Sequence, residues 1–409
     1  MRKLLGFAEN GFLVLDLVLF TGGPLSLLRG DDPGDPVKQA IWLGIYTVTL
    51  FLIALHWKKV IRAIARNKLI WILVGIVLVS VLWSAAPEAT LRRSILFLGS
   101  TLFGVYLAAR YTLSEQLRLL SWAFGIAVLL SLIFALALPS YGITPEGPNV
   151  GTWRGIYFTK NQLGRVMVLS SIVFLLHALS GCKWRWAAWS GFYLSAILIL
   201  LSKSKTSLVV LLALLALLPI CKTLRVRNII AIIVPLNIVL LSGSLALLFL
   251  SDLETSLSLI GRDATLTGRT ELWSLVLAKI WERPWLGYGY SGFWQGPTSE
   301  AGQYVWSAIG WDAPHAHNGL LDLWIDLGLL GLIIYVLIFS LNFIQAINWV
   351  RATKTAENYF PLVYLVFIFL ANLTESNLLV QNDIIWILYV MISSSLFVPI
   401  HKPSKSIVY

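Results

Sequence analysis

Two of the five histidines in this 409-residue chain fall within three positions, in His315-Ala316-His317-Asn318. At a membrane surface a neutral imidazole accepts a proton from a hydroxyl nucleophile near pH 7, which makes this pair a candidate general base. Zinc is the rival reading of a His-x-His pair. A zinc centre needs further ligands, and the expected outer face offers no cysteine and no third histidine. His56, His177 and His401 fall on the inner side or inner half and take no chemistry.

A second set of residues pairs with the first. On the expected outer side the cations come in groups, Arg92-Arg93, Arg154 with Lys160 and Arg165, Lys203 with Lys205, and Arg262 with Arg269. Each group sits at or near the outer end of an apolar run. Such a ring of positive charge suits an anionic headgroup, phosphate or pyrophosphate, whose lipid tail stays among the helices. Snorkelling of single side chains to lipid headgroups is the alternative. Near Arg269, the residues Leu272, Trp273, Val276, Leu277, Ile280 and Trp281 recur at helical spacing. They predict a helix lying flat in the interface, capped by Thr267 and stopped by Pro284. Its N-terminus would set unpaired N–H groups beside Arg269, an oxyanion site, unless the arginine is incidental to an amphipathic loop helix. The run from Gly287 to Trp294 alternates glycine with aromatic rings, which suit either stacking on sugars or an interfacial belt.

The elements that must hold these groups are membrane spans. The chain is 58% apolar and 12% charged, against about 25% charged for a soluble protein. Apolar runs near 10–20, 39–55, 69–83, 94–109, 119–138, 166–180, 188–202, 206–220, 229–250, 318–347, 359–373 and 384–400 predict about twelve transmembrane helices. The expected fold class is therefore all-α integral membrane, one polytopic domain over 1–409. More than half of the 31 basic residues crowd into the short loops on the side of both termini, which puts that side in the cytoplasm. This asymmetry, rather than nucleic acid, accounts for the net charge of +11. The long loops 139–165 and 251–317 then lie outside, with the histidines and the grouped cations. Cys182 and Cys221 are the only cysteines and fall at the reducing face, and Met1-Arg2-Lys3 opens an uncleaved first span.

His317-Asn318, nine residues, then Gly328-Leu329-Leu330-Gly331 resembles the His-[Asn/Ser/Gln]-x9-Gly-x-x-Gly signature of the bacterial O-antigen ligase and polysaccharide polymerase superfamily. The Thr-Gly-Arg opening at Thr267–Arg269 is similar to that family's large extracytoplasmic loop. In the same order run Trp83-Ser84 through Arg92-Arg93, Lys160-Asn161-Gln162-Leu163-Gly164, the Ser-Lys turn at Ser204-Lys205, and Thr374-Glu375-Ser376. The overall look is nearest the exopolysaccharide-polymerase-like and O-antigen-ligase-like members. The resemblance implies a multi-span, GT-C-like glycosyltransferase that needs no nucleotide sugar, cofactor or metal. Its donor would be a glycan on undecaprenyl pyrophosphate. Its acceptor would be a sugar hydroxyl on a second lipid-linked repeat or on lipid A–core, with a chain-length regulator as a further partner. The location implied is the bacterial inner membrane, with the active face outside.

Carried over residue by residue, the resemblance makes His317 the base and assigns the pyrophosphate to Arg269 and Lys205. Lys203, Arg92, Arg93, Arg154 and Lys160 complete the cation set. His315 and Asn318 support the base, and Glu375 orders the cations through a salt bridge. The turn residue is usually Arg in ligases, and a lysine there lacks the bidentate fork. The competing reading of so many spans is a secondary transporter of a small anion. Such proteins place polar sites near the midplane of two related halves, whereas here the polar residues gather at one face.

Overall fold

The structure is a computed structural model that describes residues 2–29, 35–147, 149–223, 237, 239–247, 268–295, 299–353 and 355–397. Among these residues the regular structure is all helical, apart from one antiparallel bridge between Ile143 and Trp153. The helices are α1 (Arg2–Phe20), α2 (Gly23–Arg29), α3 (Pro36–Leu55), α4 (Trp57–Arg66), α5 (Lys68–Val79), α6 (Pro87–Arg110), α7 (Leu113–Ala137) and α8 (Pro139–Gly142). They continue as α9 (Lys160–Leu179), α10 (Arg185–Ser202), α11 (Lys205–Thr223), α12 (Gly268–Glu282), α13 (Glu300–Ile309), α14 (Gly319–Ala352), α15 (Phe360–Ala371) and α16 (Ile384–Leu396).

The twelve expected spans are not all reached. Among the described residues seven helices are long and apolar enough to cross a membrane: α3, α6, α7, α9, α10, α11 and α14. An eighth results if α4 and the stretch from Lys68 to Trp83, bent by 89°, count as one span. The first expected span lies in α1, which carries Glu9 and Asp16 as well as Arg2 and Lys3 and is too polar to qualify. The run 229–250 lies largely outside the described residues. The last two fall on α15 and α16, apolar helices of only 12 and 13 residues. Nearly every residue in them is buried by neighbouring parts of the chain.

Packing centres on α9, whose buried faces meet α7, α10, α11 and α15, while α16 lies along α6. Trp386 of α16 stacks on Phe97 of α6 with ring centroids 4.7 Å apart. Cys182 and Cys221 are free thiols.

The Gly-x-x-Gly signature marks a break. Gly328 interrupts α14 with φ 65° and ψ −171°, a conformation essentially restricted to glycine. A Cβ there would meet the carbonyl carbon and oxygen of Trp285 at 2.2 Å. The segment after Pro284 enters this gap, where the Pro284 carbonyl accepts from Leu329 N–H at 2.8 Å and Tyr288 N–H donates to the Ile325 carbonyl at 2.8 Å. The helix that the sequence predicts beyond Thr267 is present as α12, although Thr267 and Arg262 themselves lie outside the described residues. Leu272, Val276 and Ile280 on its inner face are buried with Phe293, Val305 of α13 and Ile325 of α14 in a second hydrophobic core. Protein covers Leu272, Val276 and Ile280, while Trp281, at the end of the same stripe, stays exposed.

Candidate active site

A cavity of about 550 Å³ opens where four parts of the chain converge. They are the start of α9 (Lys160, Asn161, Arg165), the turn into α11 (Ser204, Ser207), the loop with His315 and His317, and the loop Glu375-Ser376-Asn377. Val168, Val210, Phe367 and Ala371 extend its wall into the apolar bundle. Polar groups at one end and hydrocarbon at the other fit an amphiphile.

Local rules set each edge. Thr159 and Gln162 form a reciprocal capping box that starts α9 at Lys160. Gly164, one turn on, brings α9 onto the α11 turn, because a Cβ at this position would stand 2.3 Å from Ser207 Oγ. The hydroxyl of Ser204 then donates to Asn161 Oδ1 at 3.2 Å, and Asn161 Nδ2 donates to Glu375 Oε1 at 3.3 Å. Asn318 caps α14 by accepting from Leu320 and Leu321 N–H, which turns the chain immediately after His317. His317 itself is held at φ 52°, a left-handed conformation that a non-glycine residue keeps only when its surroundings fix it.

The two imidazoles and one carboxylate form a compact group. His317 Nδ1 lies 3.7 Å and His315 Nε2 3.9 Å from Glu375 Oε2, and the imidazole centroids are 4.2 Å apart. These three side chains bring one ligand atom each within 4.8 Å of one another, close enough to invite a metal ion. The hydrogen bonding argues against one. His317 backbone N–H donates to His315 Nδ1 at 3.1 Å, so the proton of a neutral His315 resides on Nε2, the atom a metal would need.

Burial, aided by repulsion from His317, Arg165 and Arg269, pulls His315 down to about 4 despite Glu375. Burial raises the Glu375 carboxyl, but the adjacent His317, His315 and Arg165 outweigh it and bring the group to about 2. Both shifts have the same sign for stability. Between the ordinary 6.5 of histidine and the folded value near 4, the unfolded chain binds a proton that the folded chain does not. The Glu375 contribution, complete above the ordinary 4.5, is lost as pH falls toward 2. Thermal unfolding of the detergent-solubilised protein is therefore expected to show stability falling by about 2 kcal/mol between pH 6.5 and 4. His315→Asn, which keeps an acceptor for His317 N–H, should flatten that limb. An unchanged slope in this variant would remove His315 as its source.

Of the residues the sequence singles out, His315, His317, Glu375 and Lys160 meet at the cavity. Lys205 begins α11 between Ser204 and Thr206, both of which line it. Arg269, at the second position of α12, is close enough to His315 to influence its proton affinity, and its Nη1 is buried with no hydrogen-bond partner in the protein. The remaining cations are not part of the cavity wall. Arg93 Nη1 donates to the Ser291 hydroxyl at 2.7 Å, tying α6 to the aromatic loop. Arg154 Nε donates to the Tyr141 carbonyl at 2.8 Å, while Lys203 ends α10 in a left-handed turn and Arg92 is exposed. Tyr288, Tyr290 and Phe293 are almost wholly buried, so these three rings serve neither as sugar platforms nor as an interfacial belt. Glu375, expected to order the cations, faces both imidazoles, accepts from Asn161 and feels the charge of Arg165.

Arg165 was grouped with the outer cations without a role, yet it occupies the cavity wall. It donates to Asn377 Oδ1 and pairs with Asp383 at 3.4 Å. Arg165 Nε, Arg269 Nη1, His317 Nδ1, Thr374 Oγ1 and Asn377 Nδ2 are all buried without a hydrogen-bond partner in the protein. Buried polar atoms are ordinarily satisfied, and those of Arg165 and Asn377, both in the cavity wall, are placed to meet polar atoms of a ligand.

The site can also be set against known proteins. Residues 190–336, which contain α12, both histidines and the Gly328–Gly331 break, match the family model described as O-Antigen ligase. The chain is 27% identical over 322 residues to the Exopolysaccharide production protein ExoQ of Rhizobium meliloti (strain 1021), an alignment covering 75% of this chain and 71% of that protein. With its apolar helices, the chain is a membrane protein whose residues 190–336, the His317–Gly331 signature included, are similar to the O-antigen ligase family.

Proposed function

We propose that this protein transfers a glycan from undecaprenyl pyrophosphate to a sugar hydroxyl at the extracytoplasmic face of the bacterial inner membrane. In this reading both termini are cytoplasmic, and the loops 139–165 and 251–317 face outward. The observation that carries it is the meeting of His317 and Glu375 with Lys160 and Arg165 in one cavity whose wall continues into apolar bundle. The charge of Arg269 reaches His315. Pyrophosphate is already a good leaving group, so cations that stabilise its developing charge supply much of the rate. Lys160, Arg165 and Arg269 hold the pyrophosphate, and Lys205 adds charge from the neighbouring turn. His317 takes the proton of the acceptor hydroxyl as the new glycosidic bond forms and the bond to pyrophosphate breaks. Attack from the face opposite the leaving group inverts the anomeric centre. The likeness to an exopolysaccharide production protein favours a lipid-linked repeat as acceptor, and therefore polymerisation, over lipid A–core.

Proteoliposomes containing the purified protein and a lipid-linked repeat unit, with no nucleotide sugar and with chelator present, provide the test. The expected products are a ladder of longer lipid-linked chains and released undecaprenyl pyrophosphate. Absence of both from folded protein, or uptake of a small anion in their place, would overturn the assignment.

A further inference from the structure

The aromatic rings between Gly287 and Trp294 are occupied by the protein itself. Tyr288, Tyr290 and Phe293 are buried, and Trp294 Nε1 donates to Asp322 at 2.7 Å. The ring left open beside the histidines is Trp311. It is 43% exposed, and its centroid stands 6.2 Å from that of His317, with the two planes inclined at 42°.

The backbone fixes this placement. Gly310 ends α13 at φ 78°, Ala313 N–H donates to the Trp311 carbonyl at 3.1 Å, and Trp306 Nε1 donates to the Ala313 carbonyl at 2.7 Å. Trp306 is packed against the second hydrophobic core, so the loop presenting Trp311 is anchored while its indole remains open. Pro314, three residues on, lines the cavity.

We propose that Trp311 is the stacking platform for the acceptor sugar. A large, rigid ring that is polar at one edge offers contact area with little loss of rotamer freedom. A pyranose laid with its C–H face on the indole, at about 4 Å, spans the distance to the imidazole and turns a hydroxyl toward it. The acceptor class is thus a pyranose with an apolar C–H face, held by the ring face while the cations hold the donor. This assignment rests on His317 acting on the acceptor hydroxyl.

The test uses the purified full chain, with undecaprenyl-pyrophosphate-linked repeat unit extracted from a strain lacking the protein as donor. The acceptor probe is the same repeat unit re-attached to an octyl chain. Trp311→Ala should raise the KM for the octyl acceptor about tenfold, with kcat and donor KM within about threefold, and Trp311→Phe should recover most of the loss. Should the alanine variant not purify as a monodisperse species, Trp311→Gln serves the same comparison. An unchanged acceptor KM, or a change confined to kcat or donor KM, overturns the platform. His317→Ala separates the two assignments. If it is inactive while Trp311→Ala keeps its acceptor KM, only the platform fails; if it is fully active, the underlying reading fails.

Discussion

His317→Ala is expected to lower the turnover of glycan transfer by about 10²- to 10⁴-fold while leaving donor affinity within about threefold. The geometry gives the ring one task per nitrogen. Nδ1 faces Glu375 Oε2 at 3.7 Å, so an Nδ1–H tautomer is oriented by the carboxylate and Nε2 is left as the base. This is the division of labour of a nucleophile–base–carboxylate triad, with the acceptor hydroxyl supplied by substrate. The Nδ1 to Glu375 distance exceeds hydrogen-bond length in the free protein, and such bonds tighten when the reacting complex forms. Glu375→Gln should accordingly lose less than His317→Ala, because the amide retains an oxygen that can orient Nδ1–H. Single-turnover release of undecaprenyl pyrophosphate measures the chemical step apart from product departure. Full release by His317→Ala would show that the cations alone drive transfer, with the acceptor proton passing to solvent.

Some of this site was legible in the sequence, and the boundary follows from the range of the interactions. His315 and His317 are two residues apart, and Gly328 and Gly331 govern a local break, so their roles can be expressed in short motifs. Helix α12 follows from the spacing of Leu272, Val276 and Ile280. What those spacings cannot carry is the partner that covers these three residues, here α13 and Phe293. Arg165 illustrates the same limit more sharply. Its neighbours Asn377 and Asp383 lie more than 200 positions along the chain, and only the packing of α9 beside α15 brings them together. Alternating glycines and aromatics between Gly287 and Trp294 suit both an open platform and a buried plug. The break at Gly328 decides for the plug, since the chain near Trp285 enters the gap and draws Tyr288 and Phe293 inward. Apolar runs alone do not show which helices protein wraps, as it does α15 and α16.

Asp322 belongs to no motif, yet its loss should disturb the site nearly as much as loss of the base. It occupies the first turn of α14 and accepts from the Ala316 N–H at 3.0 Å to each carboxylate oxygen. Trp294 Nε1 donates to Oδ1 at 2.7 Å, and the Ser376 hydroxyl donates to Oδ2. One carboxylate thereby joins the histidine loop, the aromatic segment beside α12, and the loop that carries Glu375. Asp322→Ala leaves three donors without an acceptor, each worth about 1–3 kcal/mol if no water reaches it. Relaxation will recover part of that, and a net loss of about 3 kcal/mol in stability is expected. The effect on turnover should be larger than this global figure suggests. Ala316 directly precedes His317, and displacement of a catalytic group by about 1 Å is enough for a 10²-fold loss. Asp322→Asn tests whether shape or charge matters. Its single amide oxygen can keep Ala316 N–H and Trp294 N–H, which both reach Oδ1, but not the Ser376 hydroxyl on Oδ2, so intermediate stability and intermediate kcat are expected. A positioning role requires kcat to fall while donor KM stays constant, since Asp322 does not line the cavity that would hold the pyrophosphate. An alanine variant that unfolds at the parental temperature and turns over within twofold of the parent would show that the His315–His317 loop keeps its shape without this carboxylate.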